Sequence, residues 1–136
     1  MKTYNIITVE NDEDEQFFMR EGFNASGLFR ILAQPKNGDE MLEWLHAQKG
    51  GLPDLILTDL NMPGKNGYDI IVEIKGDPTY AHIPVVVTST SSTQTIIDRC
   101  LSLGASDYVV KPDTFIEYAS YAKKLHRLIE DKALVK

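Results

Sequence analysis

The chain has 136 residues, 43% of them hydrophobic and 25% charged, enough apolar material for one domain with a single sizeable core. No apolar run reaches membrane-spanning length, and a formal net charge of −6 argues against a nucleic-acid surface. Met1 to Asn5 leads straight into Ile6-Ile7 with no secretory leader, and the lone Cys100 has no disulfide partner, so a reducing cytoplasm is expected.

Residues 6–9 are all β-branched and read as the first strand. An acidic stretch from Glu10 to Glu15 follows at once. Glu13, Asp14 and Glu15 suit the first turn of a helix, where they meet the positive end of its dipole. Glu10, attached directly to a buried strand, is less well explained as a solvated helix start. Residues 22–27 read as a connection and 28–33 as a second strand, ended by the turn signal Asn37-Gly38. Met41, Leu42, Trp44 and Leu45 then fit a helix with Asp39 near its start. After a Gly-rich connection, Leu55-Ile56-Leu57 is a short apolar run of the kind found in strands buried on both faces. It ends at Thr58-Asp59 and passes into a loop with Pro63, Gly64 and Asn66-Gly67.

Residues 68–75 give an amphipathic helix stopped by Gly76-Asp77-Pro78. Residues 84–89 are the fourth strand. Thr90 to Thr93 form a hydroxyl-rich loop suited to capping a helix over residues 94–103, with Gly104 at its end. Residues 108–110 are the fifth strand, followed by Lys111-Pro112 and a last helix over 114–132, whose Phe115, Ala119, Ala122, Leu125 and Ile129 recur at helical spacing. Five β-then-α units predict an α/β fold, a flavodoxin-like doubly wound five-stranded parallel sheet in the order 2-1-3-4-5 with five helices. The chain ends just after the last helix, so one domain over residues 1–136 with no output domain is expected.

Each strand ends on a polar residue: Glu10 and Asn11 after the first, Asp59 on the third, Ser89 on the fourth, Lys111 after the fifth. In a parallel sheet these ends share one edge, where ligands collect in open α/β folds. Clustered carboxylates disfavour each other's ionisation unless a cation intervenes, and a hard oxygen-seeking ion such as Mg²⁺ suits carboxylates, a backbone carbonyl and water. A lysine and a hydroxyl beside them complete a site for a phosphoryl group, with aspartate as the nucleophile. Asp59 could equally be a mere strand or turn cap if taken alone.

The run from Leu57 to Gly67, with Ser89 thirty residues after Asp59 and the run from Gly104 to Pro112, resembles the receiver domain of two-component response regulators. The likeness covers roughly residues 3–131. It implies that Asp59 accepts a phosphoryl group from a phosphohistidine on a sensor histidine kinase. It also implies that Glu10, Asn11, Asp59 and the backbone carbonyl of Asn61 hold Mg²⁺. Lys111 would pair with Asp59 and then with the phosphoryl oxygens. Ser89 would swing toward the phosphoryl group and Tyr108 would move inward behind it, a two-state element biased by a local charge change. Asn61 and Ser91 would tune autodephosphorylation, and the Lys111–Pro112 bond would be cis. The loop from Met62 to Gly67 also resembles single-domain receivers that partner bacterial phytochromes. Such a protein is a signalling phosphoacceptor rather than an enzyme, with a downstream protein partner that the sequence does not name and with room for a homodimer through the final helices.

Asn11 departs from the pattern, since the family usually carries two adjacent acids after strand 1. An amide oxygen coordinates without charge, so Mg²⁺ affinity should fall unless Asp12 compensates, and Thr90 is bulkier than the residue usual there. These departures keep a second reading open, a phosphorylation-independent pseudo-receiver that works as an interaction module. A third, a flavin protein or phosphohydrolase on the same fold, ranks last because acids after strand 1 repel phosphate. His46, His82 and His126 lack metal-ligand spacing, Cys100 and Trp44 read as packing residues, and Tyr118 and Tyr121 read either as ordinary half-buried residues or, by a slight preference, as part of a partner surface.

Overall fold

The computed structural model describes residues 2–48 and 50–135. Its strands are β1 (Tyr4–Val9), β2 (Phe29–Ala33), β3 (Leu55–Asp59), β4 (Val85–Ser89) and β5 (Asp107–Val110). Its helices are α1 (Glu13–Ser26), α2 (Gly38–Ala47), α3 (Gly67–Gly76), α4 (Gln94–Leu103) and α5 (Tyr118–Lys132), with a 3-10 turn over Phe115–Glu117 ahead of α5. All four strand pairings are parallel, in the order β2-β1-β3-β4-β5. The expected doubly wound sheet is therefore present.

Alternation along each strand feeds two cores, because successive side chains leave opposite faces of the sheet. Ile7, Val9, Ile56, Val85 and Val87 face one side, with Met41, Leu45, Ile70, Ile71, Ile74 and Cys100 from α2, α3 and α4. Ile6, Leu55, Leu57, Val86 and Val109 face the other, with Met19, Phe23, Leu125 and Ile129 from α1 and α5. Burial on both faces is why these strands read as unbroken apolar runs.

Several boundaries move. Helix α1 does not stop before Gly22 but continues to Ser26, and the left-handed residue that ends it is Gly27, at φ 69°. Tertiary packing overrides glycine's poor helix propensity at position 22. A Cβ there would lie 2.6 Å from the Tyr118 carbonyl carbon, so the α1 and α5 backbones meet at a distance that only glycine permits. Helix α2 starts at Gly38, capped by the Asn37 side chain, which accepts from Glu40 N, with Asp39 in its first turn as expected. Thr93 precedes α4 without a side-chain cap; the Ser91 hydroxyl instead accepts from Thr93 N within the loop. Gly104 closes α4 in the left-handed region as expected. No peptide bond is cis among the described residues, so Lys111–Pro112 is trans, the form lower in energy even before proline.

The contact at Gly22 yields a stability test. Alanine is the better helix former by about 1 kcal/mol, yet Gly22→Ala should lose about 1–3 kcal/mol in urea denaturation through overpacking against Tyr118. A neutral or stabilising result would mean that α1 and α5 separate freely at this crossing.

Candidate functional site

The strand registers bring the polar ends together. Val9 pairs with Thr58, Asp59 with Thr88 and Ser89 with Val110, so Glu10, Asp59, Ser89 and Lys111 lie along one edge of the sheet. The loop after β3 doubles back tightly, with Gly67 N donating to Leu60 O at 2.9 Å. A Cβ on Gly67 would sit 2.8 Å from Asp59 O, so a bare glycine at the start of α3 lets the loop close behind Asp59. Asn66 and Asp69 form a reciprocal capping box that fixes this helix start.

Glu10 is 2% exposed and Asp59 7% exposed, which is rare for carboxylates without a partner. The partner is Lys111. Its Nζ donates to Glu10 Oε1 at 2.7 Å and to Glu15 Oε1 at 2.9 Å, and lies 3.1 Å from Asp59 Oδ1. Burial pushes the Glu10 carboxyl up to about 7, opposed by its hydrogen bond from Lys111. Burial likewise raises Asp59 above the usual carboxylate value, again opposed by Lys111. Burial works against charge on Lys111 too, but Glu10, Glu15 and Asp59 more than offset it and hold the ammonium protonated beyond the usual lysine range.

Two residues not expected at the site complete the constellation. Glu15 reaches Lys111 from the first turn of α1, and its second oxygen accepts from the Tyr118 hydroxyl at 2.8 Å. Gln16, 7% exposed, donates to Thr8 O, Glu10 O and Pro35 O, which fixes the backbone from which Glu10 projects. The sequence holds a signal for Glu15: with Met19 and Gly22 it falls on one helical stripe, the stripe that faces α5. The charge of the helix start masked it.

Other expected site residues are placed as follows. Asn11 and Asn61 are exposed at the rim. Asp12 is engaged as the N-cap of α1, its side chain accepting from Glu15 N at 2.9 Å, and its own N–H donates to Glu10 Oε2. Ser89 is buried and its hydroxyl accepts from Ser91 N at 3.2 Å. Thr90 is exposed. Tyr108 is already turned in, 9% exposed, with its hydroxyl donating to Ser91 O at 2.7 Å. Tyr118 and Tyr121 are not a partner surface: they are 1% and 4% exposed, and Tyr121 donates to Thr88 Oγ1 at 2.7 Å. Their rings fill the α1–α5 core while their hydroxyls find buried acceptors. Among the described residues, no group of three or more His, Cys, Asp or Glu is arranged as a metal cage.

Comparison with known proteins decides the family. The model of the response regulator receiver domain matches residues 6–120. The chain belongs to the response regulator receiver domain family. The phosphorylated cyanobacterial phytochrome response regulator RcpA has a similar structure, with TM-score 0.76 and 30% identity over 95% of this chain and 92% of that one. The Mn²⁺-bound response regulator Rcp1 gives 0.73 and 26% over 96% and 94%. The two-component response regulator ARR3 of Arabidopsis thaliana is 46% identical over 59 residues, 43% of this chain but only 26% of that protein's length. Among the described residues, no helix of this receiver is long and apolar enough to cross a membrane.

The raised Glu10 value makes the metal-free receiver pH-sensitive. A carboxyl that is raised on folding, here from 4.5 to about 7, binds its proton more tightly in the folded state. Its contribution is therefore favourable at low pH and is lost as pH rises through that window. In EDTA, Glu10→Gln should melt increasingly above wild type as pH goes from about 5 to about 8. A melting difference that is flat with pH would contradict this.

Proposed function

We propose that this receiver works in a two-component phosphorelay, taking a phosphoryl group on Asp59 from the phosphohistidine of a sensor histidine kinase in the cytoplasm. The observation that supports it most is Asp59 itself, a buried carboxylate at a strand end with the Lys111 ammonium 3.1 Å away. An Asp59 oxygen attacks phosphorus in line, the phosphorus–nitrogen bond breaks, and the imidazole leaves with the electron pair. Lys111 and the Ser89 hydroxyl then hold phosphoryl oxygens, and catalysis is positioning and charge stabilisation.

Glu10, Asp59, the Asn61 backbone carbonyl and the Asn11 amide are the groups that would hold Mg²⁺, which supplies neutralising charge for the phosphoryl oxygens. The donor set fits, since Mg²⁺ is commonly bound through one or two carboxylates, with water and phosphate oxygens making up the rest. The buried Glu10 and Asp59, both raised by burial, are the kind of pair that a divalent cation relieves. Rcp1, solved with Mn²⁺, and RcpA, solved phosphorylated, support this reading by likeness. RcpA's description as a phytochrome response regulator further points to a phytochrome-type kinase as the donor. The output is partner binding through the face of β5 and α5, governed by Ser89 and Tyr108. The inward Tyr108 supports a switch that stabilises a pose the loop already adopts rather than one that draws in a ring from solvent.

Asn11 favours one rival reading, a receiver-shaped module that signals without phosphate. Intact mass after incubation with acetyl phosphate separates the two. A single phosphoryl gain that requires Mg²⁺ and disappears in Asp59→Asn is expected. No gain at any Mg²⁺ concentration would assign the chain to the module reading.

A further inference from the structure

Lys111 has three N–H donors and faces three carboxylates. Glu10 at 2.7 Å and Glu15 at 2.9 Å take its hydrogen bonds, and Asp59 at 3.1 Å is the furthest of the three. A phosphoryl group on Asp59 would add oxygens and negative charge, and charge-assisted bonds of that kind compete strongly for an ammonium. One of the present acceptors then has to yield. Glu10 is the better anchored, since Oε2 accepts from Asp12 N and Gln16 holds its backbone. Glu15 projects from α1, and its other oxygen is bonded to Tyr118 on α5.

We propose that Glu15 is a positioning residue that shares Lys111 with Asp59 and, through Tyr118, ties the occupancy of Asp59 to the last helix. The inference rests on the phosphoacceptor reading of Asp59. When Lys111 turns to the phosphoryl oxygens, the Glu15 carboxylate keeps the Tyr118 hydroxyl as its buried partner. Tyr118 has no slack in which to follow alone: its backbone lies against Gly22, and its ring meets Tyr121 at 5.3 Å. Tyr121 in turn donates to Thr88, the residue paired with Asp59 across β3 and β4. Two chains of contacts thus join Asp59 to α5, one through Lys111, Glu15 and Tyr118, the other through Thr88 and Tyr121. Both meet in the same edge-to-face pair of rings. By linkage, whatever binds α5 and displaces it also alters how Lys111 is divided between Glu15 and Asp59.

The test uses the whole chain with acetyl phosphate and Mg²⁺, following intact mass with time and amide exchange before and after phosphorylation. Glu15→Gln keeps an oxygen for Tyr118 and removes the charge that competes for Lys111. Its rate of phosphoryl gain should rise about fivefold, the scale of one charge-assisted bond partly released, while a residue that only joined α1 to α5 would leave the rate alone. Tyr118→Phe keeps the ring and cuts the link, so the change in exchange across residues 118–125 on phosphorylation should fall by about half or more. A wild-type rate in Glu15→Gln overturns the sharing of Lys111. A full exchange response in Tyr118→Phe overturns the link to α5. Wild type that gains no mass fails the phosphoacceptor reading itself and takes this inference with it, so the unmodified chain tells the two failures apart.

Discussion

Everything at the sheet edge depends on one ammonium group. Lys111 lies among Glu10, Glu15 and Asp59, and among the described residues no other cation is paired with any of the three. Three carboxylates against one lysine leave an excess of negative charge in a buried place. Burial raises the carboxyls of Glu10 and Asp59, and a neighbouring carboxylate adds a smaller push to each, Asp59 on Glu10 and Glu15 on Asp59. Such an arrangement costs stability in isolation and is relieved by added positive charge.

The scaffold keeps that arrangement in place with means that have little to do with charge. Gln16 spends its amide on three backbone carbonyls to fix the turn after β1. Gly67 lets the loop after β3 close behind Asp59. Lys111 N donates to Ser89 O at 2.8 Å, so the chain after β5 is tied to β4 just where the Ser89 and Lys111 side chains emerge. Each contact places a charged atom by holding its backbone, which is stiffer than holding the side chain alone.

The fold was legible because burial on both faces leaves a plain trace. Runs such as Leu55-Ile56-Leu57 and Val85-Val86-Val87 are too apolar and too short to be amphipathic helices. The positions of Glu10, Asp59, Ser89 and Lys111 were legible because each lies at the end of a buried strand run, and parallel pairing aligns such ends. What stayed hidden was whatever depends on how two helices lean together. Glu15 passes for a helix-start acid until α1 is set against α5. Gly22 passes for a helix stop until the Tyr118 backbone is seen beneath it. Tyr118 and Tyr121 pass for surface residues because their hydroxyl acceptors come from elements 103 and 33 residues away in sequence. The inward pose of Tyr108 depends on a loop carbonyl that no periodicity marks.

The division of the interior into two cores has a consequence of its own. Side chains on the α1–α5 side and on the α2–α3–α4 side belong to separate clusters with the sheet between them. The strands act as a partition, and a change of volume in one compartment is absorbed there. The edge carrying Lys111 is different, because the loops after β1, β3, β4 and β5 all converge on it, past the reach of the partition. That edge borders both compartments at once, so a change of charge there faces both sides of the molecule.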